Sequence, residues 1–314
     1  MPNHEHKAFI PYSGAFQGTP GLDTSRHQVI RARALSLHPR HITLDQPWQG
    51  SKDLPFDYLI AATGSKLAFP SSMPSDEKAP SISSLQSHQQ SIKSAHKITI
   101  IGGGAVGVQM ACDLKEYYPN KDITLIHSRE KLMPLYHESL SNIIKARFTE
   151  LSINLITGTR VTIPPTGFPT TPFTMTLQNN HTLPTDLAIL ATGQTPNTQF
   201  LSTLPPSSPK TPLTNPQNGF IRVKPTLQFQ DPAYPHLFAV GDIADTGAHK
   251  AARPGYVQAA AAAKNIAALI AGEEASETIA VAPAGIHLTL GLVKNVVFRN
   301  PDGEGEPVVK WREE

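Results

Sequence analysis

The 314-residue chain is poor in cysteine, and Cys112 is the only one. A single thiol forms no intrachain disulfide and builds no zinc site from paired thiolates. Enzymes that pass electrons through two cysteines of one chain are therefore excluded. Cys112 falls within a predicted helix, where a small, buried, apolar role is the expectation.

The chain also lacks long apolar runs and dense clusters of one charge. Its most apolar helical stretch, Ala259–Ala271, contains Lys264 and Asn265 and is too short to span a bilayer. The 27 Lys and Arg residues nearly balance the 25 Asp and Glu residues and form no basic tract. We therefore expect no membrane span, no nucleic-acid partner and a cytoplasmic location.

The motif that organises the chain is a glycine loop between a predicted strand and a predicted helix. The β-branched run Lys97–Ile101 stops at glycines with G-x-G-x-x-G spacing, and a helical pattern begins directly afterwards. Gly102 permits a tight turn, Gly104 lets backbone N–H groups approach a pyrophosphate, and Gly107 lets the helix lie close to its strand. The sequence therefore predicts a phosphate site of a dinucleotide, although three glycines near a strand also occur in ordinary turns.

The end of the second predicted strand, Asp122–Ile126, lacks the acid that usually accepts the ribose 2′-OH of NAD. His127, Ser128 and Arg129 stand there instead. Arginine offers a bidentate fork to phosphate oxygens, so His127 and Arg129 are candidate contacts of a 2′-phosphate. NADPH is favoured over NADH, with a solvated Arg129 at a loop start as the open alternative.

Three further buried strands end in small or acidic residues. Their ends are Thr63 and Gly64, Thr192 and Gly193, and Gly241 and Asp242. Because α/β sheets bind ligands at the carboxyl ends of their strands, all six are candidate nucleotide contacts. An aspartate that caps the next turn is the alternative for Asp242.

Apolar periodicity predicts the remaining elements. Short antiparallel strands are predicted at His27–Ile30 and His41–Leu44. Helices are predicted at 83–94, 138–151 and 254–271, and strands near 153–156, 159–163, 173–178 and 219–223.

The glycine loop and the three strand ends occur in an order that resembles the pyridine nucleotide–disulfide oxidoreductase superfamily. The segment Glu116–Lys121, followed by Thr124–Ser128, narrows the resemblance to the apoptosis-inducing-factor-like, ferroptosis-suppressor type of mitochondrion-associated NAD(P)H oxidoreductase. The resemblance implies an α/β, two-dinucleotide-binding, Rossmann-like flavoprotein fold with an inserted NAD(P) domain. The implied domains are an FAD-binding domain (1–90 and 215–285), an NAD(P)-binding domain (91–214) and part of a C-terminal interface domain (286–314).

The resemblance also implies an activity, in which NAD(P)H reduces FAD and the flavin reduces a quinone or another small acceptor. Lys250 is expected to stabilise negative charge on the reduced flavin, with an ordinary helix-start role as the alternative. Gln109 stands where the family has a glutamate that orients nicotinamide and flavin. The amide keeps the hydrogen-bonding shape and loses the charge.

The chain departs from the family pattern at its beginning. Such proteins open with a strand and glycine loop for the ADP part of FAD, and this sequence opens inside the segment that follows. The expectation is an N-terminally incomplete fold. It reflects either an incomplete gene model or truncated paralogue, or a genuine short form that keeps NAD(P)H binding and holds FAD weakly or not at all. A non-catalytic NAD(P)-binding remnant that acts through protein partners is therefore the alternative function.

Overall fold

A computed structural model describes residues 3–16 and 21–313 of the chain. Within them, the α-helices are α1 (Lys78–Ser94), α2 (Ala105–Tyr117), α3 (Glu138–Glu150) and α4 (Ala252–Ile270). Short 3-10 helices cover Glu5–Ala8, Tyr12–Gly14, Thr24–Arg26, Gln199–Thr203 and Gly241–Ile243. No described helix is long and apolar enough to cross a membrane.

The strands, in chain order, are β1 (Ala34–Leu37), β2 (His41–Trp48), β3 (Ser51–Pro55), β4 (Leu59–Ala61), β5 (Ser65–Lys66), β6 (Lys97–Ile101), β7 (Asp122–Ile126), β8 (Asn154–Ile156), β9 (Phe173–Thr176), β10 (Thr182–Thr185), β11 (Leu187–Leu190), β12 (Thr195–Pro196), β13 (Ile221–Arg222), β14 (Leu237–Ala239), β15 (Ala244–Asp245), β16 (Gly285–Thr289), β17 (Lys294–Arg299) and β18 (Val308–Glu313).

The chain forms two compact units. Unit 1 comprises the described residues of Met1–Ala8, Leu67–Gln194 and Ala282–Glu314, and unit 2 those of Phe9–Lys66 and Thr195–Val281. These bounds differ from the predicted domains 1–90 with 215–285, 91–214 and 286–314. Helix α1 belongs to unit 1, β12 pairs with β5 in unit 2, and the C-terminal strands β16, β17 and β18 are part of unit 1.

The centre of unit 1 is a parallel sheet in the order β11-β6-β7-β8. Ile101 is opposite Ile126 and Ile126 is opposite Ile156, so these strands end at one level. Helix α2 connects β6 to β7, and α3 connects β7 to β8, which is the nucleotide-binding βαβ pattern. The predicted α/β, Rossmann-like class is therefore confirmed.

The core of unit 1 is built from the β-branched residues of the sheet and the inner faces of α2 and α3. Ile98, Ile100 and Ile123 pack there with Phe148. Cys112 is fully buried in the same core, as predicted, and burial raises the pKa of its thiol to about 12. This cysteine therefore stays a neutral thiol at physiological pH.

The C-terminal strands form an antiparallel sheet, β16-β17-β18, that packs on the core of unit 1. Arg147 of α3, which is nearly buried, donates to the carbonyl of Leu290 across 2.8 Å and pairs with Glu116 of α2. Glu116 in turn accepts from the backbone N–H of Leu292. This charge-assisted network fixes the β16–β17 turn to both helices and explains why these strands do not form a separate piece.

Unit 2 contains the antiparallel sheet β1-β2-β3 and several two-stranded pairings. The parallel pair of β4 and β14 places Leu59 opposite Leu237 and Ala61 opposite Ala239. Leu237 and Phe238 are fully buried, and α4 packs against the same region through Ala261 and Ala262. The strands predicted at 41–44 and 219–223 and the helix predicted at 254–271 are present as β2, β13 and α4.

Two predicted strands are wrong. Residues 27–30 form no strand, and Val29 is 52% exposed, so no buried face supports extended pairing there. Residues 159–163 form a single bridge, from Val161 to Leu177, instead of a strand. Pro164 and Pro165 follow directly, and proline has no N–H with which to continue a ladder.

Candidate functional site

The glycine loop connects β6 to α2 and is shaped by close backbone contacts. Gly102 has a φ of 127°, and its N–H donates to the carbonyl of Ile126 across 2.8 Å. A Cβ at Gly102 would overlap the carbonyl oxygen of Ala191, and one at Gly107 would overlap that of Gly102. Both positions therefore require glycine for the fold itself.

Gly104 differs from these two glycines. It is the N-cap residue of α2, with a φ of −85°, and makes no side-chain cap hydrogen bond. A Cβ built on it meets no described atom within 4 Å. The first N–H groups of a helix have no intrahelical partner, and the helix dipole favours an anion there. The space beside Gly104 is therefore open, and the role of this glycine at a pyrophosphate stays a prediction.

Both backbone polar groups of Gly103 form hydrogen bonds with the loop that follows β7. Its N–H donates to Nδ1 of His127 across 3.0 Å, and its carbonyl accepts from the N–H of Met133 across 3.0 Å. A Cβ at Gly103 would overlap the His127 ring and the side chain of Leu132. The structure thus places His127 against the glycine loop, a contact that the linear sequence did not indicate.

Two arginines carry positive charge near His127. Arg129 is exposed in the loop after β7, and Arg160 is exposed after β8. Burial lowers the pKa of His127, and the charges of Arg129 and Arg160 lower it further. Arg160 was not among the residues predicted from the sequence. Because adjacent parallel strands end at one edge of a sheet, its position after β8 indicates that it lies near the end of β7.

Glu130 is the first acid after β7. Its carboxylate accepts from the hydroxyl of Thr157 across 2.8 Å and lies against Gly158. The side chain is therefore directed towards the turn that follows β8.

Thr192 and Gly193 follow β11, the strand beside β6. The N–H of Ala191 donates to the carbonyl of Ile101 across 2.8 Å, which brings this strand end to the glycine loop. Thr192 lines a cavity of about 30 Å³ with Val106, in the first turn of α2. Gly193 is exposed. The structure thus brings both residues to the edge of the sheet that carries the glycine loop.

Gln109 of α2 contacts another part of unit 1. Its amide nitrogen donates to the hydroxyl of Thr289 across 2.8 Å and so connects α2 to β16. The half-buried amide has a structural partner, and its role in orienting a nicotinamide stays a prediction.

In unit 2, the ends of β4 and β14 meet at one edge of the parallel pair. The N–H of Val240 donates to the carbonyl of Ala61 across 3.0 Å. After β4, the hydroxyl of Thr63 donates to the carbonyl of Asn197, and the Asn197 amide donates to the carbonyl of Thr63. Gly64 follows with a φ of 61°, so these contacts fix a tight turn.

The Gly241–Asp242 turn is fixed by a buried side chain of α4. Gly241 has a φ of 72°, and its N–H donates to Oε1 of Gln258 across 2.7 Å. Gln258 is 3% exposed. The half-buried carboxylate of Asp242 has no hydrogen-bond partner among the described residues, so it is available to a ligand hydroxyl.

Lys250 lies close to this turn. Its ammonium group donates to the carbonyl of Ala244 and lies 4.3 Å from the centre of the Phe220 ring. Burial lowers the pKa of Lys250, and the carboxylates of Asp245 and Asp242 oppose that shift. The structure therefore brings Lys250 and Asp242 into electrostatic contact within unit 2.

The fold and the glycine loop together define a class of protein. A parallel sheet whose central strand leads through a glycine loop into a helix N-terminus is a dinucleotide-binding α/β unit. Residues 22–265 match the pyridine nucleotide-disulphide oxidoreductase family, and the chain belongs to that family. Its class is therefore that of flavin- and NAD(P)H-dependent oxidoreductases.

Named relatives cover most of the chain. Fe-regulated protein 8 of Mycosarcoma maydis is 33% identical over 92% of this chain and 74% of its own length. FAD-dependent oxidoreductase FVFD30 of Flammulina velutipes is 29% identical over 86% and 78%. Apoptosis-inducing factor homolog B of Dictyostelium discoideum is 30% identical over 93% and 75%, which confirms the predicted apoptosis-inducing-factor-like resemblance.

Solved structures share the fold. An engineered water-forming NADPH oxidase bound to NADPH aligns with a TM-score of 0.63 at 20% identity, over 94% of this chain and 65% of that one. The chain spans about half to two thirds of the length of such structures, 49% in one case and 65% in another.

Proposed function

We propose that the chain is an NAD(P)H oxidoreductase in which unit 1 binds NAD(P)H and unit 2 binds FAD. NAD(P)H held by unit 1 would supply a hydride, and FAD held by unit 2 would supply the redox chemistry that reduces a small acceptor. The observation that carries the proposal is the open space at Gly104, before the uncapped N-terminus of α2.

Two groups of residues in unit 1 would contact different parts of the dinucleotide. The first N–H groups of α2 bind the pyrophosphate, because no Cβ stands between them and the ligand at Gly104. Arg129 after β7 and Arg160 after β8 carry positive charge and would hold the adenosine ribose end of the coenzyme. Two guanidinium groups favour the 2′-phosphate of NADPH over the free hydroxyl of NADH.

The residues of unit 2 suit a flavin nucleotide. Thr63 with Gly64 and Gly241 with Asp242 follow two adjacent parallel strands, where such ligands bind. The Asp242 carboxylate, which lacks a described hydrogen-bond partner, accepts from a ligand hydroxyl. Lys250 supplies a half-buried positive charge beside it, which stabilises negative charge on a reduced flavin.

The electron acceptor that we propose is a quinone or another small oxidant. The chain cannot pass electrons through a pair of its own thiols, because Cys112 is its single cysteine and is fully buried. Reduction of a small molecule at the flavin needs no such relay.

A second candidate is a non-catalytic NAD(P)-binding protein that acts through partners. One observation favours it: within the described residues, the parallel sheet of β4 and β14 has two strands. Parallel sheets are generally larger and covered on both faces, so the flavin unit has few strands to support a cofactor.

Flavin retention separates the two candidates. We expect the purified protein, refolded with excess FAD, to retain flavin absorbance after gel filtration and to bind NADPH. Binding of NADPH without flavin would instead support the second candidate. Binding of neither would contradict both.

A further inference from the structure

His127 contacts the backbone of the glycine loop. Its Nδ1 accepts from the N–H of Gly103 across 3.0 Å, and its ring atoms fill the space that a Gly103 Cβ would need. The carbonyl of Gly103 is held on its other side by the N–H of Met133. The N–H and the carbonyl of Gly103 are therefore both fixed by the loop after β7.

This hydrogen bond requires a neutral imidazole. Nδ1 accepts only when it carries no proton, so the ring proton of the neutral form lies on Nε2. That nitrogen is buried and has no hydrogen-bond partner among the described residues. Burial lowers the pKa of His127, as do Arg129 on its own loop and Arg160 after β8, while the backbone of Lys131 opposes them.

We propose that His127 is a positioning residue, whose neutral ring holds Gly103 so that the loop N–H groups point at the dinucleotide pyrophosphate, and that it does not contact the nucleotide itself. This inference rests on the proposed binding of NAD(P)H to unit 1. It replaces the expectation that His127 contacts the 2′ side of the coenzyme. Arg129 and Arg160 remain for that role.

Protonation of His127 should make dinucleotide affinity depend on pH. The usual pKa of histidine is about 6.5, and that of folded His127 lies below it. The neutral ring is therefore present at and above about pH 6.5 and is lost as the pH falls through the lowered pKa. Protonation removes the acceptor and sets a second N–H against that of Gly103, so dinucleotide affinity falls at acid pH.

NADH is the probe for this effect, because the 2′-phosphate of NADPH itself gains a proton near pH 6. Its dissociation constant is measured by calorimetry from about pH 7.5 to about pH 5, a range that spans the titration of histidine. We expect the affinity of the parent to fall as the pH drops through the pKa of His127, by at least the about three- to tenfold that loss of the acceptor costs. A direct contact of His127 with the 2′-phosphate predicts the reverse, with NADPH binding more tightly at low pH and NADH unaffected, and that result overturns the proposal.

Two variants of His127 separate the effect of its hydrogen-bond acceptor from the effect of its protonation. His127→Asn retains an acceptor and does not titrate, so it should bind NADH within about threefold of the parent at neutral pH and show a flat pH profile. His127→Leu loses the acceptor and should bind about three- to tenfold more weakly at every pH. His181→Leu, at an exposed position of unit 1, is the matched control and should change nothing. If His127→Leu does not fold, the profile of His127→Asn against the parent decides, and an unchanged pH dependence in it contradicts the proposal.

Hydrogen exchange tests the same contact without any coenzyme. In the nucleotide-free protein, the amide of Gly103 should exchange slowly in the parent and in His127→Asn, and faster in His127→Leu. Equal exchange in all three overturns the positioning role. A parent that binds neither NADH nor NADPH contradicts the proposed function alone, because the exchange rates still report whether His127 holds Gly103.

Discussion

Gln258 of α4 accepts a hydrogen bond from the N–H of Gly241 across 2.7 Å, and this buried amide fixes the turn that carries Asp242. The two residues are 17 positions apart. Gly241 is half-buried, and without this acceptor its N–H would lose its hydrogen-bond partner in the fold.

Replacement of Gln258 should therefore weaken unit 2 and its cofactor site together. A buried donor left unsatisfied costs about 1–3 kcal/mol. We expect Gln258→Leu to lower the free energy of unfolding by about that amount and to reduce FAD retention, measured by denaturant unfolding and by flavin absorbance. Gln199→Leu, at an exposed position, is the control. A Gln258→Leu protein with parental stability would show that the turn does not depend on this side chain.

Gly104 and Gly102 should respond differently to the same added methyl group. Gly104→Ala has room for its Cβ and an ordinary φ, so its melting temperature should match that of the parent while NADPH binding is lost. Gly102→Ala places a Cβ on the Ala191 carbonyl at a φ of 127°, so it should unfold more easily. Thermal melts and NADPH titrations measure both. Parental NADPH affinity in Gly104→Ala would rule out pyrophosphate binding at this helix.

Arg129 and Arg160 should discriminate between the coenzymes. A hydrogen bond to a charged group is worth about 1.5–3 kcal/mol, which corresponds to about ten- to a hundredfold in affinity. We expect Arg129→Ala and Arg160→Ala each to weaken NADPH and spare NADH, with smaller effects if solvent screens the exposed side chains. Arg299→Ala, at the exposed last residue of β17, should affect neither coenzyme. Equal losses for NADH and NADPH would show that these arginines do not contact the 2′ position.

Asp186 gives the stability of unit 1 a dependence on acid pH. Hydrogen bonds from the backbone N–H groups of Lys97 and His96 lower the pKa of its carboxyl group. A lowered pKa means that the stabilisation is present above the unfolded value of about 3.9 and is lost as the pH falls through the folded value. Asp186→Asn should therefore have a lower free energy of unfolding than the parent, and this difference should be largest near neutral pH and become smaller in acid. Asp302→Asn, at an exposed position, should show no such trend, and a pH-independent deficit in Asp186→Asn would exclude this linkage.

The central βαβ unit could be predicted from the sequence because its signals are local. The run Lys97–Ile101, the glycine spacing and the pattern of α2 lie within a few dozen residues, and the structure has all three where they were predicted. Strands such as 27–30 failed because alternation alone does not provide a partner strand or a buried face.

The contacts that arrange the candidate site lie between residues far apart in the sequence. Gln109 meets Thr289, and His127 meets Gly103, through packing that no local pattern specifies. Arg160 becomes a candidate only when β8 is placed beside β7. The residue types at the site could therefore be read from the sequence, whereas their partners required the fold.

Flavin reduction by NADPH requires both proposed cofactor sites and can be followed by absorbance. FAD-reconstituted protein is mixed with NADPH without oxygen, and loss of the visible flavin absorbance is followed in the parent and in Gly104→Ala. We expect rapid bleaching in the parent, recovery of the flavin absorbance when a quinone is added, and little bleaching in Gly104→Ala despite equal flavin content. Flavin that stays oxidised in the parent, or that bleaches equally in both proteins, would show that NADPH bound at Gly104 does not reduce the flavin.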